Sequence, residues 1–177
     1  MIRHVRDFTN EQTIYKKRLR TITLRLRRTP ASNEGRSLLT VGGAGEVEDV
    51  LRSIFEQYDE DQEHFVLLVF DGSHELLGFK RLASGTQTSV MVDRALVFRN
   101  ALLLGARSIM VAHNHPNGSL VPSPDDVTLT KALVELGHSI MIEVLDHIII
   151  SPKGTCASMK EREPLLWPPL KSDASAT

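Results

Sequence analysis

The sequence predicts an α/β domain in which helices flank a mixed β-sheet. Two observations support this fold class. Short apolar runs that are typical of buried strands alternate with longer segments whose apolar residues recur at helical spacing. The chain has 177 residues, of which 41% are hydrophobic, so a single domain can bury a substantial core. An alternation of this kind favours layers in which helices cover a sheet.

The first part of the chain, residues 1–45, is predicted to hold a basic strand and a linker. Residues 16–28 are rich in Lys and Arg. Between Thr21 and Arg27, apolar and polar side chains alternate, which is the pattern of an edge strand with one charged face. The same charges could also contact the phosphates of DNA. Glycines and a proline in residues 29–45 indicate a loop.

Three segments have apolar residues at helical spacing and are therefore predicted to be helices: residues 46–58, 91–104 and 124–136. Gly105 and Gly137 directly follow the second and third of these segments. A glycine in that position commonly ends a helix, so we expect these two helices to stop there.

Apolar runs bounded by turn residues predict the strands. The run from His64 to Phe70 is apolar almost throughout, which indicates a strand that is buried on both faces. Asp71-Gly72-Ser73 then turns the chain into a hairpin partner at residues 75–83. The remaining predicted strands are residues 107–113, 139–144, 145–150 and 156–159.

Composition limits the class of protein. No apolar run approaches the ~20 residues of a membrane helix, and the N-terminus has no apolar segment of the signal-peptide kind. Cys156 is the only cysteine, which excludes an intrachain disulfide and a thiolate zinc cluster. We therefore expect a cytoplasmic protein with no membrane partner. We also expect a proline-rich, polar and disordered tail at residues 164–177.

The segment His113-Asn114-His115-Pro116 carries the strongest chemical signal. Side chains two residues apart on a strand point to the same face, so His113 and His115 can reach one metal ion. Pro116 ends the strand, and the loop that follows is long enough to bring back the carboxylate of Asp126. Two histidines and one carboxylate leave a fourth position for water, as in catalytic zinc sites.

Asp126 also has a purely structural explanation. In Ser123-Pro124-Asp125-Asp126, a serine at the N-cap, a proline at the first helical position and an acid three residues on form a capping box. The two interpretations are compatible, because the start of a helix holds a ligand rigidly. The residues alone leave both open.

His113-x-His115, ten residues and then Asp126, with Ser123 between them, resembles the JAMM signature of the JAB/MPN metalloprotease superfamily. Four longer strings are similar to the RadC branch of that superfamily: residues 112–118, 122–126, 144–149 and 158–162. The resemblance covers residues 46–163 and implies an MPN/JAB domain with a cytidine-deaminase-like architecture. The helix-hairpin-helix module of full-length RadC proteins has no counterpart in residues 1–45, so we expect the short, stand-alone form.

This resemblance implies a zinc-dependent metallohydrolase, a metallopeptidase or an isopeptidase, that activates a zinc-bound water. It implies one Zn²⁺ per chain, held by His113, His115 and Asp126, with Ser123 as a donor to the oxyanion. The superfamily also uses an upstream glutamate as general base. Glu63 stands immediately before the apolar strand and is the positional match.

The sequence leaves the roles of several neighbouring residues open. Glu60 and Glu75 are rivals of Glu63 as the base. Asn114 points to the opposite strand face from the histidines, so we expect it to hold the loop rather than to do chemistry. For Asp146 and His147, support of the ligands and polar pairing within the core are both open.

The implied substrate is a peptide or a protein, with ubiquitin-like proteins included. Two other functions stay open. One is a DNA-associated, repair-linked role, which the basic residues 16–28 permit. The other is a non-catalytic MPN-like interaction module, which the intact set of candidate ligands disfavours. The predicted edge strand could pair with another copy of the chain, so an oligomer is compatible with the sequence.

Overall fold

The computed structural model describes residues 44–85 and 92–168, in which helices cover both faces of a β-sheet. The helices are α1 (Ala44–Phe55), α2 (Arg94–Leu103), α3 (Pro124–Ser139) and α4 (Met159–Arg162). The strands are β1 (His64–Phe70), β2 (Leu76–Ser84), β3 (Ser108–Asn114), β4 (Glu143–Ile150) and β5 (Cys156–Ser158). Their order in the sheet is β2-β1-β3-β4-β5. Among the strands of the described residues only β3 and β4 pair in parallel, so the predicted mixed α/β sheet is confirmed.

The apolar run of β1 reflects its position inside the sheet, where every one of its residues is buried. Phe65, Leu67 and Val69 belong to the core that the sheet forms with α2 and α3. Val66, Leu68 and Phe70 belong to the second core, which includes residues of α1. Alternate side chains of a strand point to opposite faces, so two apolar cores require an uninterrupted apolar sequence.

The strand register brings distant parts of the chain to one end of the sheet. β1 runs antiparallel to β3, with Phe65 opposite His113. β3 runs parallel to β4, with His113 opposite Ile149, and α3 connects these two strands. The start of β1 and the end of β3 are therefore neighbours, close to the first turn of α3.

Two sequence predictions are wrong in the connection between α3 and β4. The helix continues to Ser139, so Gly137 lies inside it rather than ending it. Residues 139–144 and 145–150 are not two strands, because a single strand runs from Glu143 to Ile150. The chain turns between helix and strand at Met141, whose φ of 57° is in the left-handed region.

The other differences in the described segments are small. α1 begins at Ala44 and ends at Phe55, whereas residues 46–58 were expected. Gly105, with a φ of 75°, follows α2 as predicted. Residues 164–166 form a 3₁₀ turn, and the Trp167 indole donates to the Val144 carbonyl over 2.7 Å. The beginning of the expected tail thus packs against the sheet.

The predicted basic strand at 21–27, the wider basic stretch 16–28 and the tail beyond residue 168 lie outside the described residues. Within residues 44–85 and 92–168, no helix has the length and apolar character needed to cross a bilayer.

Candidate metal centre

Four side chains meet at the end of the sheet where β1 begins and β3 ends. They are Glu63, His113, His115 and Asp126, and one ligand atom from each lies within 4.8 Å of the others. Glu63 immediately precedes β1, His113 is in β3, His115 follows the end of β3, and Asp126 is in the first turn of α3. Neither Glu60 nor Glu75 belongs to this group.

The two histidines present the same nitrogen to the centre. His113 Nε2 lies 2.9 Å from His115 Nε2 and 3.2 Å from Asp126 Oδ1. His115 Nε2 lies 3.6 Å from Asp126 Oδ2. The side chain of His113 is 1% exposed, and those of His115 and Asp126 are 14% and 12% exposed. The group is therefore largely shielded from solvent, with small exposed fractions at His115 and Asp126.

These distances fit a bound metal ion. Ligand atoms ~2.0–2.2 Å from one tetrahedral zinc ion are about 3.3–3.6 Å apart. The distance from His113 to Oδ1 and the distance from His115 to Oδ2, the other oxygen of the same carboxylate, both lie close to this range. The two imidazole nitrogens are slightly closer together. Electron pairs of two nitrogens and a carboxylate that converge on one point repel each other unless a proton or a cation lies between them. The donor set can therefore hold a metal ion.

Asp126 takes part in a complete capping box as well as in the centre. The Ser123 hydroxyl accepts from Asp126 N, and Ser123 N donates to Asp126 Oδ2 over 2.7 Å. The Ser123 hydroxyl also donates to Asp126 Oδ2 over 2.6 Å. The capping box predicted from the sequence is thus present, and the same carboxylate lies among the converging side chains, since Oδ1 faces His113 while Oδ2 accepts from Ser123 and also faces His115.

Each histidine is held by a hydrogen bond at its other ring nitrogen. His115 Nδ1 donates to the Ser119 carbonyl over 2.9 Å, which leaves the Nε2 lone pair of a neutral ring directed at the centre. His113 Nδ1 lies 2.7 Å from His147 Nε2. His147 is fully buried, and its Nδ1 lies 2.5 Å from the hydroxyl of Thr130.

Asn114 holds the backbone on either side of Glu63. Its Oδ1 accepts from His64 N over 2.7 Å, and its Nδ2 donates to the Gln62 carbonyl over 2.8 Å. The sequence predicts that Asn114 holds its own loop, but the segment that its side chain ties down is the one that carries Glu63. Asn114 therefore fixes the end of β3 to the start of β1.

The electrostatics of the centre follow from burial and close contact. Burial alone would raise the pKa of Asp126, but hydrogen bonds with His113 and His115 hold it well below its usual range. The hydrogen bond to Asp126 raises the pKa of His115. Burial raises the pKa of Glu63, with partial opposition from both histidines. Burial also lowers the pKa of His147 well below its usual value, so this ring is neutral.

Asp146 lies apart from the four converging side chains. Its carboxylate accepts from the Ser158 hydroxyl over 2.6 Å and from the backbone nitrogens of His147 and Lys160. None of these partners is a candidate ligand. The carboxylate instead ties β4 to β5 and to the start of α4.

Sequence reasoning missed the part of the network that depends on long-range contacts. Thr130 was not singled out, yet it contacts both His147 and the carbonyl of Asp126. A signal for it was present, because Thr130 follows Asp126 by four residues and so lies on the same helix face. The anchor of the loop after His115, an Arg162 guanidinium that donates to the Leu120 carbonyl, had no such local signal.

Comparison with known proteins gives a consistent family match. A family model described as RadC-like JAB domain matches residues 44–164. A UPF0758 protein of Synechocystis sp. is 40% identical over 91 residues, which are 51% of this chain and 37% of the relative. A UPF0758 protein of Desulforamulus reducens is 40% identical over 104 residues, 58% of this chain and 46% of the relative. The chain thus spans less than half the length of these curated relatives.

Proposed function

The chain belongs to the RadC-like JAB domain family, and from this premise we propose that it is a zinc-dependent hydrolase of peptide or isopeptide bonds. His113, His115 and Asp126 would hold the ion. Zinc in such a site supplies Lewis acidity, which lowers the pKa of water toward about 7. The observation that carries the proposal is the convergence of two imidazoles and two carboxylates within 4.8 Å.

Glu63 is the proposed general base. Its carboxylate lies in the converging group, so it can accept a proton from the attacking water and return it to the leaving amine nitrogen. Burial raises its pKa, which brings the group closer to the pH at which it works and makes it a better proton donor in the second step. The hydrogen bonds of Asn114 hold the backbone on both sides of this carboxylate in place.

Ser123 is the proposed donor to the oxyanion. Its hydroxyl hydrogen is directed to Asp126 Oδ2, and rotation about the Cβ–Oγ bond would release it toward a substrate while the oxygen keeps its place in the cap. Its backbone nitrogen would keep the bond to the same carboxylate oxygen during this rotation. Loss of one such donor typically costs about 10²–10³ in rate.

The proposed reaction takes a peptide or protein substrate, and ubiquitin-like proteins are one class of it. The DNA-associated function stays a prediction, since the basic residues 16–28 that motivate it lie outside the described part of the chain. A non-catalytic interaction module would have no need for a base candidate and an ordered ligand set at one place, and this favours the hydrolase.

Two measurements test the proposal on the purified full chain. Elemental analysis should find about one zinc ion per chain, as expected for a mononuclear site. A panel of peptides and ubiquitin-like fusion substrates should then be cleaved by the wild type. Glu63→Gln should lower this rate by about 10²–10⁴, the usual contribution of a general base. The matched control is Glu60→Gln, because Glu60 is exposed and outside the centre.

Two results would contradict the proposal. One is a zinc content near zero after expression in zinc-supplemented medium. The other is a wild type that binds zinc but cleaves no member of the panel faster than Glu63→Gln does. The second result would favour the interaction module, because ligands would then be kept without turnover.

A further inference from the structure

A chain of three hydrogen bonds connects His113 to the backbone of the helix that carries Asp126. His113 Nδ1 lies 2.7 Å from His147 Nε2, and His147 Nδ1 lies 2.5 Å from the Thr130 hydroxyl. That hydroxyl lies 2.6 Å from the carbonyl oxygen of Asp126. We propose that Thr130 and His147 are positioning residues that fix the tautomer of His113, with its hydrogen on Nδ1 and its lone pair on Nε2.

This proposal rests on the proposed function only where it treats His113 as a metal ligand. The tautomer itself is a property of the protein without metal, so it can be examined separately from zinc binding and from hydrolysis.

The hydrogen bond from Thr130 to the helix backbone determines which group donates in each of the three hydrogen bonds. A carbonyl oxygen has no hydrogen, so the Thr130 hydroxyl donates to Asp126. The sulfur of Met159, 3.5 Å from the same hydroxyl, is also only an acceptor. With its one hydrogen used in this way, the Thr130 oxygen offers a lone pair to His147. His147 therefore carries its hydrogen on Nδ1.

The position of the hydrogen on His147 then determines the position of the hydrogen on His113. His147 is 0% exposed, and both of its ring nitrogens face polar side chains rather than a carboxylate. A fully buried ring with no counter-ion is neutral and has one N–H. Because that hydrogen is on Nδ1, Nε2 accepts, and His113 must donate from its own Nδ1. The Nε2 lone pair of His113 then faces His115 and Asp126.

The opposite arrangement of hydrogens would obstruct the centre. If Thr130 donated to His147 instead, both rings would change tautomer, and His113 would carry a hydrogen on the nitrogen that faces the other ligands. That arrangement also gives up the 2.6 Å hydrogen bond to Asp126. Thr130 thus couples two ligands through one helical turn, since the residue that sets the tautomer of His113 bonds to the carbonyl of Asp126.

Zinc affinity of two Thr130 variants tests the coupling. Thr130→Val keeps the shape of the side chain but removes the hydroxyl, whereas Thr130→Ser keeps the hydroxyl. We expect Thr130→Val to bind zinc about 10–100-fold more weakly than the wild type, the usual effect of losing a group that orients a ligand. Thr130→Ser should restore most of the affinity. Competition with a chromogenic zinc chelator gives the dissociation constants without any substrate.

A merely structural role of Thr130 would have a different signature. Both variants would then lower the melting temperature while zinc affinity stayed at the wild-type value. That pattern would overturn the proposal, because the hydroxyl would have no effect on the ligand.

Nitrogen NMR of the metal-free wild type locates the ring hydrogens of the two histidines directly, without any variant. With ¹⁵N-labelled histidine, long-range correlations should place the hydrogens of His113 and His147 on Nδ1 in both rings. A hydrogen on Nε2 of either ring would overturn the proposal. If the wild type bound no zinc, the proposed function would fail, and this spectrum would still decide the tautomer.

Discussion

Asp126 shows how one side chain can take part in a helix cap and in a candidate metal centre together. Its Oδ2 accepts from the backbone nitrogen and the hydroxyl of Ser123, while its Oδ1 lies 3.2 Å from His113 Nε2. A carboxylate that is locked by a cap loses little side-chain entropy when it binds a cation. The cap therefore prepares the ligand.

The substitution Asp126→Asn should affect both zinc binding and the stability of the start of α3. We expect Asp126→Asn to lose zinc binding. In EDTA, its melting temperature should fall by about 2–4 °C, because a neutral amide replaces the carboxylate that accepts from Ser123 and that favours the positive end of the helix dipole, a loss of up to ~1 kcal/mol. Zinc titration and thermal unfolding measure the two effects. Asp125→Asn is the matched control, since Asp125 is exposed in the same turn. Equal zinc affinity in the two variants would contradict this role of Asp126.

Glu63 should titrate above the ordinary value of a glutamate in the metal-free protein. Burial disfavours its charged form, so the pKa of Glu63 is raised from 4.5. Because the folded pKa exceeds the unfolded one, the stabilisation linked to this proton is present below the unfolded pKa and lost as pH rises through the folded pKa. Carboxyl ¹³C NMR with and without denaturant measures both values, and a folded pKa at or below the unfolded one would refute the prediction.

The pKa of Glu63 should also depend on the charge of a bound metal ion, and this dependence gives a second test. The positive charge of added zinc should lower the pKa of Glu63, because a nearby cation favours the carboxylate. In Asp126→Asn, which we expect not to bind zinc, the same addition should leave the titration of Glu63 unchanged.

The close packing of helix α3 against strand β4 explains why residue 137 is a glycine. The sequence pattern instead predicts that this glycine ends the helix. A Cβ on Gly137 would lie 2.5 Å from the Ile142 carbonyl oxygen and 3.1 Å from Val144 Cγ2. The helix passes so close to the following strand that only a residue without a side chain fits. The glycine therefore permits packing inside the helix and does not terminate it.

The substitution Gly137→Ala tests this explanation. In an exposed helix interior, Gly→Ala would stabilise by about 1 kcal/mol. Here the contact with a backbone oxygen should outweigh that gain, since overpacking costs about 1–3 kcal/mol and the carbonyl cannot rotate away. We expect the melting temperature of Gly137→Ala to fall by up to about 8 °C. Gly78→Ala is the control, because nothing lies within 4 Å of a Cβ there, and a stabilised Gly137→Ala would contradict the prediction.

Two features that depend on residues close together in the sequence were predicted correctly, whereas one contact between residues far apart in the sequence was not. The run that forms β1 and the cap at Ser123 are local patterns, and the structure has both where they were expected. The segment 139–150 was divided wrongly, because a short apolar run does not distinguish a helix end from a strand. The contact of Thr130 with His147 depends on how α3 packs on β4, which no local pattern contains.

The arrangement of the sheet makes the centre a junction of three parts of the chain. Glu63 precedes β1, the histidines belong to the end of β3, and Asp126 begins α3. The proposed zinc ligands come from two of these parts, the end of β3 and the start of α3, and an ion that binds only when both are in place stabilises the folded chain against unfolding by mass action. Zinc binding should therefore be visible in the stability of the whole domain.

Zinc should raise the melting temperature of the wild type. At a free zinc concentration 100 times the dissociation constant, the stabilisation is about 2.7 kcal/mol, which corresponds to roughly 5–11 °C for a chain of this size. Differential scanning calorimetry with buffered zinc and with EDTA measures the shift. Asp126→Asn should show no shift, and a wild-type melting temperature that is independent of zinc would contradict the prediction.

The antiparallel pairing of β1 with β3 has a consequence for how the protein folds. His113, His115 and Asp126 lie in one short stretch of chain, whereas Glu63 reaches them only when Phe65 comes to lie opposite His113. Closure of the long loop between β1 and β3 costs more entropy than closure of the short loop before α3. We expect a refolding chain to bring the three proposed ligands together first and the proposed base, Glu63, last, so that zinc can bind before this carboxylate is in place.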